Sequence, residues 1–151
     1  PICVAALVAL MMKLSGQMTR GAIPYNTNPR HTAEAAKILG PNKWLAIEQK
    51  VTLETDPAKA RALGRKELAR YLTLDNYRNN FLRIGFSEAD LANGGSDHFI
   101  DQMCLWGTVD QVKANLRAHF AAGATHVAIQ PVHDEGDIAA RDRILAALAD
   151  T

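Results

Sequence analysis

Residues Trp44 to Arg61, WLAIEQKVTLETDPAKAR, decide the fold. Leu45, Ile47, Val51 and Leu53 fall on one side, and Ala46, Glu48, Lys50, Thr52 and Glu54 on the other, which is the period of a strand. The period changes at Asp56-Pro57. Asp56 can accept from free N–H groups, Pro57 suits a first helical position, and Ala58, Ala60, Arg61, Ala62 and Leu63 continue as helix formers. A strand feeding straight into a helix is half of a βαβ unit. Its second face carries Glu48, Lys50 and Glu54, where a sheet covered on both sides should be apolar. Such a face suits a closed barrel filled with paired side chains, or a site.

Working outward, the same pattern recurs. Ile2 to Leu7 (ICVAAL) reads as a short buried strand, followed by a helix from Val8 to Met18 that Gly16 weakens. Gly21 to Asn26 is a second strand, and Asn28-Pro29 opens a helix from Arg30 to Leu39 that Gly40-Pro41 closes. The helix after the third strand runs from Pro57 to about Leu72. Extra helices follow: Leu74 to Ile84, a short one capped by Ser87 with Asp90, and one from Ser96 or Asp97 through Leu105. Thr108 with Gln111 caps the helix Val109 to Ala122. His126 to Val132 is a fourth strand and Ile138 to Leu148 a final helix. Four strands alternating with helices mean a parallel sheet with right-handed crossovers. An open doubly wound sheet and part of a (β/α) barrel both satisfy this pattern. No glycine-rich dinucleotide or P-loop fingerprint follows any strand, and the polar faces of the third and fourth strands favour the barrel.

Composition narrows the function. The 151 residues are 48% hydrophobic, enough for one domain with a core, and 17 basic residues balance 16 acidic ones. No run of either sign supplies the field that nucleic acid or a membrane surface requires. The apolar opening from Ile2 to Met12 is too short to span a bilayer. Cys3 in a strand and Cys104 in an apparent helix lack zinc-ligand spacing and read as buried free thiols of a reducing, cytoplasmic compartment. No pairing of His with carboxylates has metal spacing, so no metal is expected. His31, His119 and His126 read as solvated or structural.

Several segments carry a resemblance: IPYN with Pro29, His31-Thr32 and ILGP; EQKVTLETDPAKAR; RYLTLDNYRNNFLRIGF; GGSD; and WGTVDQVKANLRAHFAAGATHVAIQ. In this order they resemble the C-terminal half of a luciferase-like monooxygenase domain, and within it the oxidoreductases that use the deazaflavin coenzyme F420. The resemblance covers nearly the whole chain. It implies an α/β fold that is the C-terminal half of a (β/α)8 TIM barrel, with residues 1–151 as a single partial domain and extra helices after the third strand. It implies hydride transfer between F420 and a small organic substrate, with FMN as the alternative cofactor. It also implies that the barrel is completed by an N-terminal half or by a second copy of the chain in a homodimer. A non-catalytic half-barrel serving assembly is the reading from another class.

The resemblance places the cofactor against the turn after the first strand, at Ala5, Ala6, Leu7 and Val8. Relatives commonly have a glycine-proline pair there. Val8 denies the backbone freedom of glycine, so a phosphate would have to rest on helix N–H groups alone. Tyr25, Asn26, Glu48, Lys50 and Gln130, near the ends of the other strands, are the expected substrate-lining residues. Glu48 and Lys50 demand partners whichever role they play, because burying either charge alone is costly. The catalytic residues are not legible in this sequence.

Overall fold

The structure is a computed structural model, and it describes residues 1–149. Its elements run β1 (Cys3–Val4), α1 (Ala9–Met18), β2 (Gly21–Ala22), α2 (Pro29–Leu39), β3 (Trp44–Thr52), α3 (Pro57–Leu68), α4 (Asp75–Arg83), α5 (Glu88–Leu91), α6 (Asp97–Met103), β4 (Cys104–Trp106), α7 (Val109–Ala121), β5 (His126–Pro131) and α8 (Ile138–Leu148). The chain divides into two compact units: Pro1–Gln49 with Leu116–Ala128, and Lys50–Asn115 with residues 129–149.

In the first unit β1 pairs in parallel with β2, and β2 with the start of β3. Thr125 N–H bonds the Leu45 carbonyl, which brings the approach to β5 alongside β3. The core is Ala6, Met12, Ala22, Ala35, Leu39, Leu45, Ile47 and Ala124. Asn28 opens α2 as expected: its side chain accepts from His31 N–H with Pro29 at the first helical position. Gly16 has a packing reason rather than a helix-breaking one, since a Cβ there would stand 2.6 Å from the Leu39 carbonyl oxygen. The first strand departs from expectation. Only Cys3–Val4 keep ladder geometry, Ile2 is 72% exposed and Ala5 is exposed. Among the described residues β1 pairs with β2 alone, and apolar composition did not by itself bury it.

In the second unit the end of β3 pairs in parallel with β4, Lys50 opposite Cys104 and Thr52 opposite Trp106. Val132 N–H bonds the Val51 carbonyl. β4 corrects the sequence reading: Cys104 lies in a fifth strand, not in a helix running to Leu105, and the described residues form five strands rather than four. The cause is tertiary, because α6 ends at Met103 where its chain meets the free edge of β3. Asp56 caps α3 through Ala58 and Lys59 N–H, and the capping boxes Ser87–Asp90 and Thr108–Gln111 both form. The helix after β3 is shorter than expected, ending at Leu68 and passing through a 3-10 turn at Tyr71–Thr73. The inserted helices have a core of their own: Leu68, Phe81, Ile84, Phe86, Leu91, Phe99, Ile100 and Met103. Arg61 of α3 binds both Asp101 oxygens, at 2.9 and 2.7 Å, and Asp97 at 2.8 Å. Trp106 Nε1 donates to the same Asp101 at 2.7 Å, so one carboxylate fastens α3, α6 and β4 together.

Candidate functional site

β3 is buried without interruption from Ile47 to Thr52. Its alternation sorts the polar residues. Leu45 and Ile47 pack with Met12, Ala35 and Leu39 of the helices, which puts Gln49 on the same, outward side and Glu48 and Lys50 on the inner one.

In the first unit the polar groups gather at the C-terminal ends of β1, β2 and the first part of β3. Asn26 is buried with φ 55, a left-handed conformation that Asn tolerates better than most residues, and its N–H donates to Glu48 Oε2 at 3.2 Å. Tyr25 beside it is half-buried. The Thr27 hydroxyl is buried with no hydrogen-bond partner among the described residues. Ala6 is buried and Leu7 half-buried, while Ala5 and Val8 are exposed. Val8 is the N-cap of α1 with φ −108 and ψ 156, extended backbone that any residue adopts, and no side chain caps the helix. The absent glycine therefore costs no strain at this turn. What Val8 alters is the approach, because its own branched side chain is exposed at this turn.

Of the histidines read above as solvated or structural, His31 and His119 are structural and organise this end. His31 Nε2 donates to the Leu7 carbonyl at 2.9 Å and so holds the β1–α1 turn to α2. His119 of α7 is fully buried, with Nε2 donating to Gln49 Oε1 at 2.9 Å and Nδ1 accepting from the Thr32 hydroxyl at 2.9 Å. Burial, reinforced by the positive field of His31, pushes the His119 imidazole down to about 4, so it is neutral at physiological pH. The Asn28 cap places His31 in the first turn of α2, a signal the sequence did carry. Nothing local to His119 foretold its contact with Gln49, seventy positions away in the chain.

In the second unit Lys50 is fully buried, with its ammonium 5.0 Å from the centre of the Tyr71 ring. Gln130 donates to Glu67 Oε1 of α3 at 2.9 Å. Beyond the ends of β3 and β5 opens a cleft of about 710 Å³. Leu53, Leu63, Val132 and Ile144 give it apolar walls, and Glu54, His133, Asp137 and Arg143 supply its polar groups. That volume suits an organic ligand of cofactor or drug size. Among the predicted residues, Glu48 and Asn26 come together, Lys50 turns to Tyr71 and Gln130 to α3, and none of them lines this cleft. The cleft residues were missed because β3 and β5 meet there through long-range pairing. Cys3 is half-buried and Cys104 buried, both as free thiols. Among the described residues no three His, Cys, Asp or Glu side chains group as for a metal ion, and no helix is long and apolar enough to cross a membrane.

The solved structures explain the arrangement. An F420-dependent secondary alcohol dehydrogenase, in complex with an F420-acetone adduct, superposes on 98% of this chain at TM-score 0.64 and 12% identity, using 48% of its own length. This chain has the fold of about half of such a barrel. The coenzyme F420-dependent tetrahydromethanopterin reductase of Methanopyrus kandleri matches 97% of the half-barrel at TM-score 0.61 and 16% identity, over 49% of its length. The FMN-bound oxygenating constituent of 3,6-diketocamphane monooxygenase, a type II Baeyer-Villiger enzyme from the CAM plasmid of Pseudomonas putida, matches 98% at TM-score 0.66 and 14% identity, over 46%. The half-barrel thus spans about half the length of each structure it matches. No family model matches the sequence, and no curated protein does.

Proposed function

We propose that the half-barrel is the C-terminal half of an oxidoreductase that uses F420, with FMN as the alternative, on a small organic substrate. The observation that carries the reading is the fold match: 97–98% of the chain superposes on half of three oxidoreductases whose structures or names bring in F420 or FMN. The residues present fit such a group. α1 begins without a side-chain cap, which leaves its first N–H groups available to a phosphate, and the buried Thr27 hydroxyl adds a polar group with no hydrogen-bond partner among the described residues. Bound cofactor would supply the two-electron chemistry. The chain's own share is to hold it: His31 fixes the turn that presents the α1 amides, and Asn26 orients the Glu48 carboxylate at the end of β2. Val8 favours a second reading, a half-barrel that serves assembly only, because a branched, exposed side chain stands where a glycine would let a phosphate come close.

Absorbance and fluorescence titration of the chain with F420 and with FMN decides between the two. Binding of either one, with no turnover by the chain alone, is the expected result. Val8→Gly should tighten it several-fold by opening the turn, while the Val8 backbone needs no change of conformation. No spectral change with either cofactor up to roughly 1 mM, a free energy weaker than about −4 kcal/mol, favours the assembly reading.

A further inference from the structure

Asn93 is the one asparagine of the chain that a glycine follows. It is exposed in the 3-10 turn Ala92–Gly94 between α5 and α6, with φ 52 and ψ 37 in the left-handed region. Gly94 is exposed too, at φ 82, and nothing stands within 4 Å of where a Cβ would sit. The pair holds what an intramolecular reaction needs: a carboxamide carbon, and a neighbouring backbone nitrogen that no side chain shields. At ψ 37 that nitrogen lies across the Cα–C bond from the Asn93 side chain, so attack requires the Asn93–Gly94 peptide to turn over. Glycine takes either sign of φ at similar cost, and the space about Gly94 is open.

We propose that Asn93 is a modification site, where the chain converts its own asparagine to aspartate and isoaspartate. The Gly94 nitrogen bonds to Asn93 Cγ, and its proton leaves with the amide nitrogen as ammonia, which closes a cyclic imide. Water then opens the ring. Breaking the bond at Cγ gives aspartate; breaking the bond at the backbone carbonyl gives isoaspartate, whose main chain runs through Cβ and Cγ. Nothing is oxidised or reduced. The fold supplies selectivity and consequence. Asn42 is also exposed and left-handed, at φ 60, but the side chain of Lys43 crowds the same attack.

Isoaspartate lengthens the main chain by one methylene just before Gly95, where there is no slack. Gly95 N–H bonds the Ala92 carbonyl at 2.9 Å, its carbonyl accepts from Arg65 Nε at 3.1 Å, and a Cβ on it would stand 2.8 Å from the Phe99 ring. Ser96 gives its N–H to the Asp90 carbonyl and its hydroxyl to Asp90 Oδ1, both at 2.8 Å, and caps α6 through Phe99 N–H at 3.1 Å. A longer turn displaces Gly95 and the cap with it, so the isoaspartyl form loosens the start of α6. The aspartyl form keeps the original backbone and its contacts. None of this depends on the cofactor reading.

The test ages the folded chain for days in mildly alkaline buffer at body temperature and reads protease peptides by mass spectrometry, with enzymatic isoaspartyl methylation as a second readout. Asn93 should convert at least about tenfold more than Asn42, because only Asn93 precedes glycine. The isoaspartyl fraction should exchange the amides of Gly95 to Phe99 at least about tenfold faster than fresh chain, and Asn93→Asp should not. Asn93→Gly, which accepts φ 52 without strain, should abolish conversion there. A folded chain that leaves Asn93 intact while urea-unfolded chain converts it overturns the proposal, since the turn then protects the site. Equal conversion at Asn42 overturns the selectivity, and isoaspartyl material that exchanges like fresh chain overturns the consequence.

Discussion

A neutral imidazole sealed between Gln49 and Thr32 makes acid the enemy of the first unit. His119 is held at about 4 in the folded chain, against an ordinary value near 6.5 once unfolded. Between those values the unfolded chain binds the extra proton, so stability is complete above about pH 6.5 and falls as pH drops toward 4. Urea unfolding should lose up to ~3 kcal/mol across that window, and His119→Gln should flatten the dependence at a cost at neutral pH. Lys50 offers a second test at this scale. Tyr71→Phe keeps the ring beneath the ammonium and should change stability by less than ~0.5 kcal/mol, whereas Tyr71→Leu should cost about 2 kcal/mol. Thermal and urea melts of the pair decide it, and equal losses would mean the phenol hydroxyl matters more than the ring. Both residues show where sequence reading reaches its limit. The charges at Glu48 and Lys50 announced that they needed partners, but Asn26 and Tyr71 as those partners come from other elements.

Elements with local causes were legible, and those with distant causes were not. Asp56-Pro57, Asn28-Pro29, Ser87 with Asp90 and Thr108 with Gln111 fixed their helix starts, because a cap satisfies neighbouring N–H groups and leaves its mark within four residues. β4 left no such mark. Cys104 to Trp106 follows an apolar helical stripe, and three residues are too few to show a strand period. β1 failed in the other direction, since apolar composition did not by itself bury it. Glycine readings divide along the same line. Gly16→Ala should destabilise by about 1–3 kcal/mol despite a helix-propensity gain near 1 kcal/mol, because the added methyl meets the Leu39 backbone at 2.6 Å. A stabilised Gly16→Ala variant in chemical denaturation would show that α1 yields easily and that the contact is soft.

At the scale of the chain, the barrel reading came from strand and helix order together with a polar inner face, and the solved structures bear out the half-barrel. The cleft beyond β3 and β5 was not legible, since its walls are assembled from segments some eighty residues apart. The inserted helices have a consequence of their own. With a private aromatic core of Phe81, Phe86 and Phe99 and a clasp at Asp101, residues between β3 and α7 need little from the rest of the chain to hold their shape. Such a segment behaves as a cassette: its amides should exchange with solvent as one cooperative block, apart from those around His119. A cassette can be traded between related folds without rewriting the rest of the chain, so evolution can redecorate one segment and spare its frame.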